Sequence, residues 1–148
     1  MISPAPTSKV DAKLARGTFL GLETPPAPKK PFVRLAFANT QYDLHLAPLG
    51  PVQCEVGKRI LGTIRGEARR VDIVTTGGRY MEPVIGRPRR VQGTVVAIDA
   101  ASNTLVVDAG APVHLTLTAP GQKAEKFSVG ALVSCDVMDG ATFSQAKG

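Results

Sequence analysis

A Gly-Thr leading into a hydrophobic strand, an alternating strand, and a Val-Gly that opens another hydrophobic run occur in that order twice in this chain. Nothing else in the sequence restricts the fold so tightly. Gly17-Thr18-Phe19-Leu20-Gly21-Leu22-Glu23 matches Gly93-Thr94-Val95-Val96-Ala97-Ile98-Asp99, and Tyr42-Asp43-Leu44-His45-Leu46 matches Val113-His114-Leu115-Thr116-Leu117. Ala47-Pro48 and Ala119-Pro120 follow, and then Val56-Gly57 and Val129-Gly130. The matched pairs lie 76, 71, 72 and 73 residues apart. Length therefore changes between the strands and not within them, the pattern of one β module used twice with variable loops.

Two modules share 148 residues. Units of roughly 70 residues bury only about 60% of their unfolded surface, so each is expected to lean on the other in one rigid body. The division predicted is a flexible tail over 1–13, a first repeat over 14–86 and a second over 87–148. With 43% hydrophobic and 20% charged residues the chain has the composition of a globular domain, and its Val, Ile, Thr, Gly and Pro content favours strands and turns. The expected class is all-β.

Alternation fixes most of the strands. Residues 16–23 read as the first. Residues 32–38 and 42–47 read as a hairpin with Leu35, Phe37, Leu44 and Leu46 inward and Asp43 and His45 outward. Residues 104–109 and 112–118 repeat it, with Leu115 and Leu117 inward and His114 and Thr116 outward. A long bent strand runs from Arg59 to Thr75, with Gly62 and Gly66 as bulge points and Val71 and Ile73 inward. Residues 79–85 form a further strand that closes the second repeat or pairs at the boundary, and the second repeat has no C-terminal counterpart to it. The prolines of residues 24–31 exclude helix and ladder, so that stretch is an extended excursion where the second repeat has the short turn 99–103.

Four or five short, bent strands per unit with glycines at the corners resemble small Greek-key barrels of the OB-fold or SH3-like kind, which implies two tandem barrels. Units that open on Gly-Thr, continued by Phe19 in the first and Val95 in the second, and place Val-Gly before a hydrophobic strand are also similar to paired molybdate-binding Mop repeats, and that resemblance implies binding of a small oxyanion. Ala12-Lys13-Leu14-Ala15-Arg16 and Arg89-Arg90-Val91-Gln92 stand where Mop repeats carry Ser-Ala-Arg-Asn.

Catalytic chemistry has no foothold in the pattern. His45 and His114 fall on matching outward strand positions, away from Cys or clustered carboxylates, and read as polar cover. No Gly-x-Ser-x-Gly, phosphate-loop Gly-Lys-Ser/Thr or His-Glu-x-x-His is present, and the glycines precede no helix that could present its N-terminus to a phosphate. Cys54 and Cys135 lie in different repeats without a CxxC and read as buried or half-buried free thiols. The expectation is a non-catalytic protein with no metal and no cofactor. No apolar run approaches the ~18 residues of a membrane span, and residues 1–13 lack a signal peptide's basic start and apolar core, so no membrane partner and a cytoplasmic location are expected.

Charge is what remains, and it is unevenly placed. Residues 1–57 carry +2, residues 58–90 carry +6 and residues 91–148 carry −2. The middle stretch holds Lys58, Arg59, Arg65, Arg69, Arg70, Arg79, Arg87, Arg89 and Arg90, nearly all arginine, whose planar multi-donor fork suits phosphate. Arg87-Pro88-Arg89-Arg90 falls at the junction, where two low-dielectric bodies would focus a positive field. The candidate function is binding of RNA or DNA, mainly through the backbone, because the chain has no Trp and base stacking needs exposed rings. Only Tyr42 and Tyr80 are placed as platforms, Tyr80 beside Arg79 being the better, while Phe19, Phe32, Phe37 and Phe127 fall at core positions. Two other readings compete. In one, the arginines simply pair with Glu67, Asp72, Glu82 and the acidic second repeat. In the other, exposed strand edges recruit a protein partner or a second copy of the chain in a homo-oligomer.

Overall fold

The computed structural model describes residues 12–146. Of the tail assigned to 1–13, residues 1–11 lie outside the described residues, while Ala12 and Lys13 sit in a turn. The class is all-β. Among the described residues eleven strands run in chain order as β1 (Ala15–Glu23), β2 (Phe32–Ala36), β3 (Asp43–Pro48), β4 (Arg59–Ile73), β5 (Tyr80–Glu82), β6 (Ile85–Gly86), β7 (Arg90–Asp99), β8 (Thr104–Asp108), β9 (Pro112–Leu117), β10 (Leu132–Val137) and β11 (Thr142–Gln145). They join in one mixed sheet, and the only helical element among the described residues is a 3-10 turn at Ala124–Lys126.

Two antiparallel meanders organise the sheet. β1, β2 and β3 pair in succession, with β1 also paired to the first residues of β4. β7, β8 and β9 do the same, with β7 also paired to β10. Each meander is completed by a strand from the other half of the chain. The middle of β4, from Ile64 to Ala68, lies parallel to β9 from Val113 to Leu117. β11 lies parallel to β3 and antiparallel to β4, with Thr142 opposite Ala47 on one side and Arg65 on the other. The final residues of β4 pair antiparallel with β10. Strand β4 thus serves both halves, which is why it extends over 15 residues where a strand of five or six is usual.

The repeated sequence signatures make repeated contacts. Gly57 and Gly130 have φ of +91° and +97°, a left-handed conformation that glycine alone adopts without strain. Their amides donate to Phe19 O at 2.7 Å and to Val95 O at 2.8 Å, and in return Phe19 N donates to Lys58 O and Val95 N to Ala131 O, both at 2.9 Å. Both first strands of the meanders are bulged at the same place, between Phe19 and Gly21 and between Val95 and Ala97. The Gly of each Gly-Thr lies beneath a neighbouring carbonyl. A Cβ on Gly17 would sit 2.7 Å from Ala36 O, and one on Gly93 would collide with Asp108 O.

One core runs through both halves. Leu35, Leu44, Leu46, Ile64, Leu105, Leu115 and Phe143 are fully buried in a single cluster, and the inward and outward residues of β2, β3 and β9 fall as alternation predicts. Several finer expectations are corrected. Ile73 is 63% exposed, not inward. Its strand is at its end there, and nothing covers that face beyond Val71. Gly62 and Gly66 are not bulges. Gly62 leaves room for the Phe143 ring and Ser144 O, and Gly66 for Val137. The strand assigned to 79–85 divides at Pro83, which has no amide to donate. Its two parts separate, β5 pairing with β7 and β6 with β3, so the segment bridges the halves. Residues 142–145, given no strand in the sequence reading, form β11. The excursion at 24–31 contains a turn, with Lys29 N donating to Pro26 O.

Tyr42, considered above as a stacking platform, is a structural tie. Its hydroxyl donates to Ala109 O and accepts from Met81 N, both at 2.8 Å. Burial is the leading cause that raises its pKa. One hydroxyl therefore joins the turn before β3, the junction segment and the β8–β9 turn. Tyr42→Phe strands a donor and an acceptor in a part-buried site, so a stability loss of about 1–3 kcal/mol is expected from urea unfolding. A change of only a few tenths would mean that water replaces the hydroxyl.

Candidate nucleic-acid interface

The nine cations among the ten residues singled out by sequence fall into two electrostatic groups. Four of the cations are held by carboxylates. Arg70 Nε lies 3.0 Å from Asp72 Oδ1, Arg79 Nη1 2.6 Å from Asp108 Oδ2, Arg87 Nη1 3.1 Å from Asp139 Oδ2, and Arg90 Nη1 2.7 Å from Asp136 Oδ1. Arg90 also donates to Ser134 Oγ at 2.8 Å, and its guanidinium is held more firmly charged by Tyr80 and Asp136 beside it. Three of these four carboxylates belong to the acidic second half, so the pairing expected of the competing structural reading accounts for this group. All four pairs are substantially open to solvent, which limits each to at most about 1 kcal/mol.

Lys58, Arg59, Arg65, Arg69 and Arg89 are exposed and make no ion pair among the described residues. Arg89 stays at the junction, where its backbone carbonyl accepts from Val137 N at 2.8 Å. The other four are at the start of β4 or on it. Successive side chains of a strand point to opposite faces. Ile60, Gly62, Ile64 and Ala68 are buried, which turns Arg59, Leu61, Thr63, Arg65, Glu67 and Arg69 outward in one row. At ~3.3 Å per residue the row from Arg59 to Arg69 spans about 33 Å. Glu67 is the single acidic group within it.

A further cation, not among the ten, belongs to this surface. Arg16 on β1 is exposed, and its register opposite Leu61 places it diagonally beside Arg59. Arg16, Gly17, Thr18, Ala38 and Arg59 line an open cleft of 270 Å³. The signal was present in the sequence, since Arg16 precedes an inward Gly17 by one residue and must point outward. The equivalent position in the second half is filled differently. Gln92 is buried, and its Nε2 donates to Thr76 O at 3.2 Å and Gly78 O at 2.9 Å. That glutamine pins the 74–78 loop, so the second half offers no matching pair of cations.

Tyr80 is half-buried on β5, with its hydroxyl donating to Gln92 Oε1 at 3.3 Å. It lies against the neutralised Arg90 group and not on the β4 row. Cys54 and Cys135 are free thiols, one half-buried and one buried, and burial pushes the Cys135 thiol up to about 12. His45 Nε2 lies 3.3 Å from Asp43 Oδ1. No cluster of three or more metal-ligating side chains occurs among the described residues, and no helix among them is long and apolar enough to cross a membrane. No protein-family model matches the chain, and no curated protein or solved structure matches it significantly.

Proposed function

We propose that this chain is a pair of small β-barrels, built on a duplicated module with exchanged strands, that binds the backbone of RNA or DNA along the outward face of β4. The pairing circuits support the architecture: β1, β2, β3, β11 and β4 return to β1, and β7, β8, β9, β4 and β10 return to β7. The matched bonds of Gly57 and Gly130 support a common origin for the two halves.

The function rests on one observation, the row of Arg59, Arg65 and Arg69 on a single strand with no carboxylate bound to any of them among the described residues. Cations without carboxylate partners are free to neutralise phosphates and release the counterions condensed on them, and a strand spaces those cations regularly. With Tyr42 tied into the fold and Tyr80 off the row, contact is to phosphate and sugar, and sequence preference is expected to be weak. Fluorescence anisotropy of labelled single-stranded RNA, single-stranded DNA and duplex DNA at two salt concentrations tests the proposal. Saturable binding that weakens steeply with salt is expected. Absence of binding to all three at low salt would overturn it.

A further inference from the structure

We propose a second site, distinct from the β4 row, that takes a nucleotide: an aromatic ring bearing a phosphate. A cleft of 740 Å³ opens between the 24–31 loop, the outward faces of β2 and β3, the junction at Gly86 and Arg87, and the β10–β11 turn. Small-molecule sites are commonly of about 300–1,000 Å³. Its wall carries two stacked rings, His45 and Phe32, the latter half-buried on the outward face of β2 and not at the core position its sequence suggests, with centroids 4.6 Å apart and planes inclined by 20°. Its rim carries Lys29, Lys30 and Arg87. Ala47 and Ala141 provide apolar surface, fixed to each other by Ala47 N donating to Ala141 O at 2.9 Å.

The combination selects the ligand class. A planar ring extends the Phe32–His45 stack, and the three cations receive its phosphate. Lys29 and Lys30 make no ion pair among the described residues and are the main phosphate contacts, while Arg87, paired with Asp139 through Nη1 and 63% exposed, adds only its remaining N–H donors. The carboxylates nearest the rings are already engaged. Asp43 receives Arg34 at 2.6 and 3.2 Å, and that guanidinium holds its carboxyl below the usual range. Glu23 also faces Arg34.

The two halves differ where this cleft lies. The connection between β7 and β8 is a tight turn, closed by Asp99 Oδ1 accepting from Ala101 and Ser102 amides. Its counterpart between β1 and β2 is the longer 24–31 loop, whose residues Pro25, Pro28, Lys29, Lys30 and Pro31 wall the cleft. Prolines restrict the loop before any ligand arrives, so ordering costs little on binding. Extra residues in one copy of a repeated unit that build a cationic wall over stacked rings are those of a binding loop.

The test is calorimetric titration of the full chain with AMP, adenosine and inorganic phosphate. AMP is expected to bind about tenfold or more tighter than inorganic phosphate, the scale of one base-on-ring stack, and tighter than adenosine, which lacks the phosphate that the cations receive. Phe32→Leu and the double change Lys29→Gln/Lys30→Gln are each expected to weaken AMP by about tenfold. The lysines are exposed loop residues, so their test holds even if Phe32→Leu disturbs folding. Arg59→Ala/Arg65→Ala/Arg69→Ala is expected to leave AMP binding unchanged, so loss of the β4 function and loss of this site are separable. AMP binding no tighter than phosphate, or untouched by the lysine changes, overturns the proposal. Displacement of labelled oligoadenylate by AMP would assign the cleft to a residue of a strand, and AMP binding that leaves the oligomer in place would assign it to free nucleotides.

Discussion

Phe143→Ala is expected to lower the unfolding free energy by about 3–5 kcal/mol, the range for deleting a fully buried aromatic ring. Phe143 has no exposed surface. It belongs to β11, between β3 and β4, and its ring occupies the space that Gly62 leaves by lacking a Cβ. Glycine opposite the ring means that no side chain from that position can move in to fill the hole, so the cost should fall toward the upper part of that range. Urea unfolding with matched slopes measures it. Phe143→Leu should recover much of the loss, because it keeps most of the buried volume. A cost below ~1 kcal/mol for the alanine change would mean that β11 is not held in the sheet as described.

Arg59→Ala/Arg65→Ala/Arg69→Ala is expected to reduce affinity for single-stranded RNA or DNA by about 100-fold or more near 0.1 M salt. Each phosphate contact contributes a salt exponent of about 0.7–0.9, so removing three changes affinity by roughly two to three orders of magnitude at that concentration. The slope of log affinity against log salt should fall by about 2–3 in the same variant. The matched change Arg87→Ala/Arg89→Ala/Arg90→Ala should do much less, because Arg87 and Arg90 already face Asp139 and Asp136. Equal losses from the two triple changes would show that the junction contributes as much as β4. Greater loss from the junction would place the interface there.

Strand positions were legible where one face is buried and the other is not. Leu35, Leu44, Leu46 and Leu115 declare the inward faces of their strands by alternation, and a one-residue error would have turned each of them to solvent. Alternation does not say which strand lies alongside. Nothing local in Thr142-Phe143-Ser144-Gln145 reveals that it pairs with Ala47 and Arg65. Ile73 was misplaced for the same reason, since the pattern continues after the covering structure has ended. At the surface, the basic character of 58–90 was plain. The pairing of Arg87 and Arg90 with carboxylates some fifty residues away was not, because Asp136 and Asp139 arrive by tertiary folding. Arg16 and the lysines of the 24–31 loop were readable as solvent-facing, but their neighbourhoods depend on how β1 meets β4 and how that loop folds over Phe32 and His45.

The exchange of strands between the halves sets a timetable for the protein's synthesis. Residues 15–48 can form a three-stranded meander soon after they leave the ribosome, but the outer edge of β3 is covered only later, at Asp43 and Leu44 by β6 and at Ala47 and Pro48 by β11. The part of that edge at Ala47 and Pro48 pairs with Thr142 and Phe143, so it must wait for about a hundred further residues before it is capped. Pairings so distant in sequence form slowly, and an unpaired edge is open to wrong partners in the interval. A nascent chain arrested just before β11 should accordingly remain sensitive to protease in its first half, and extension by that one short strand should protect residues made long before it.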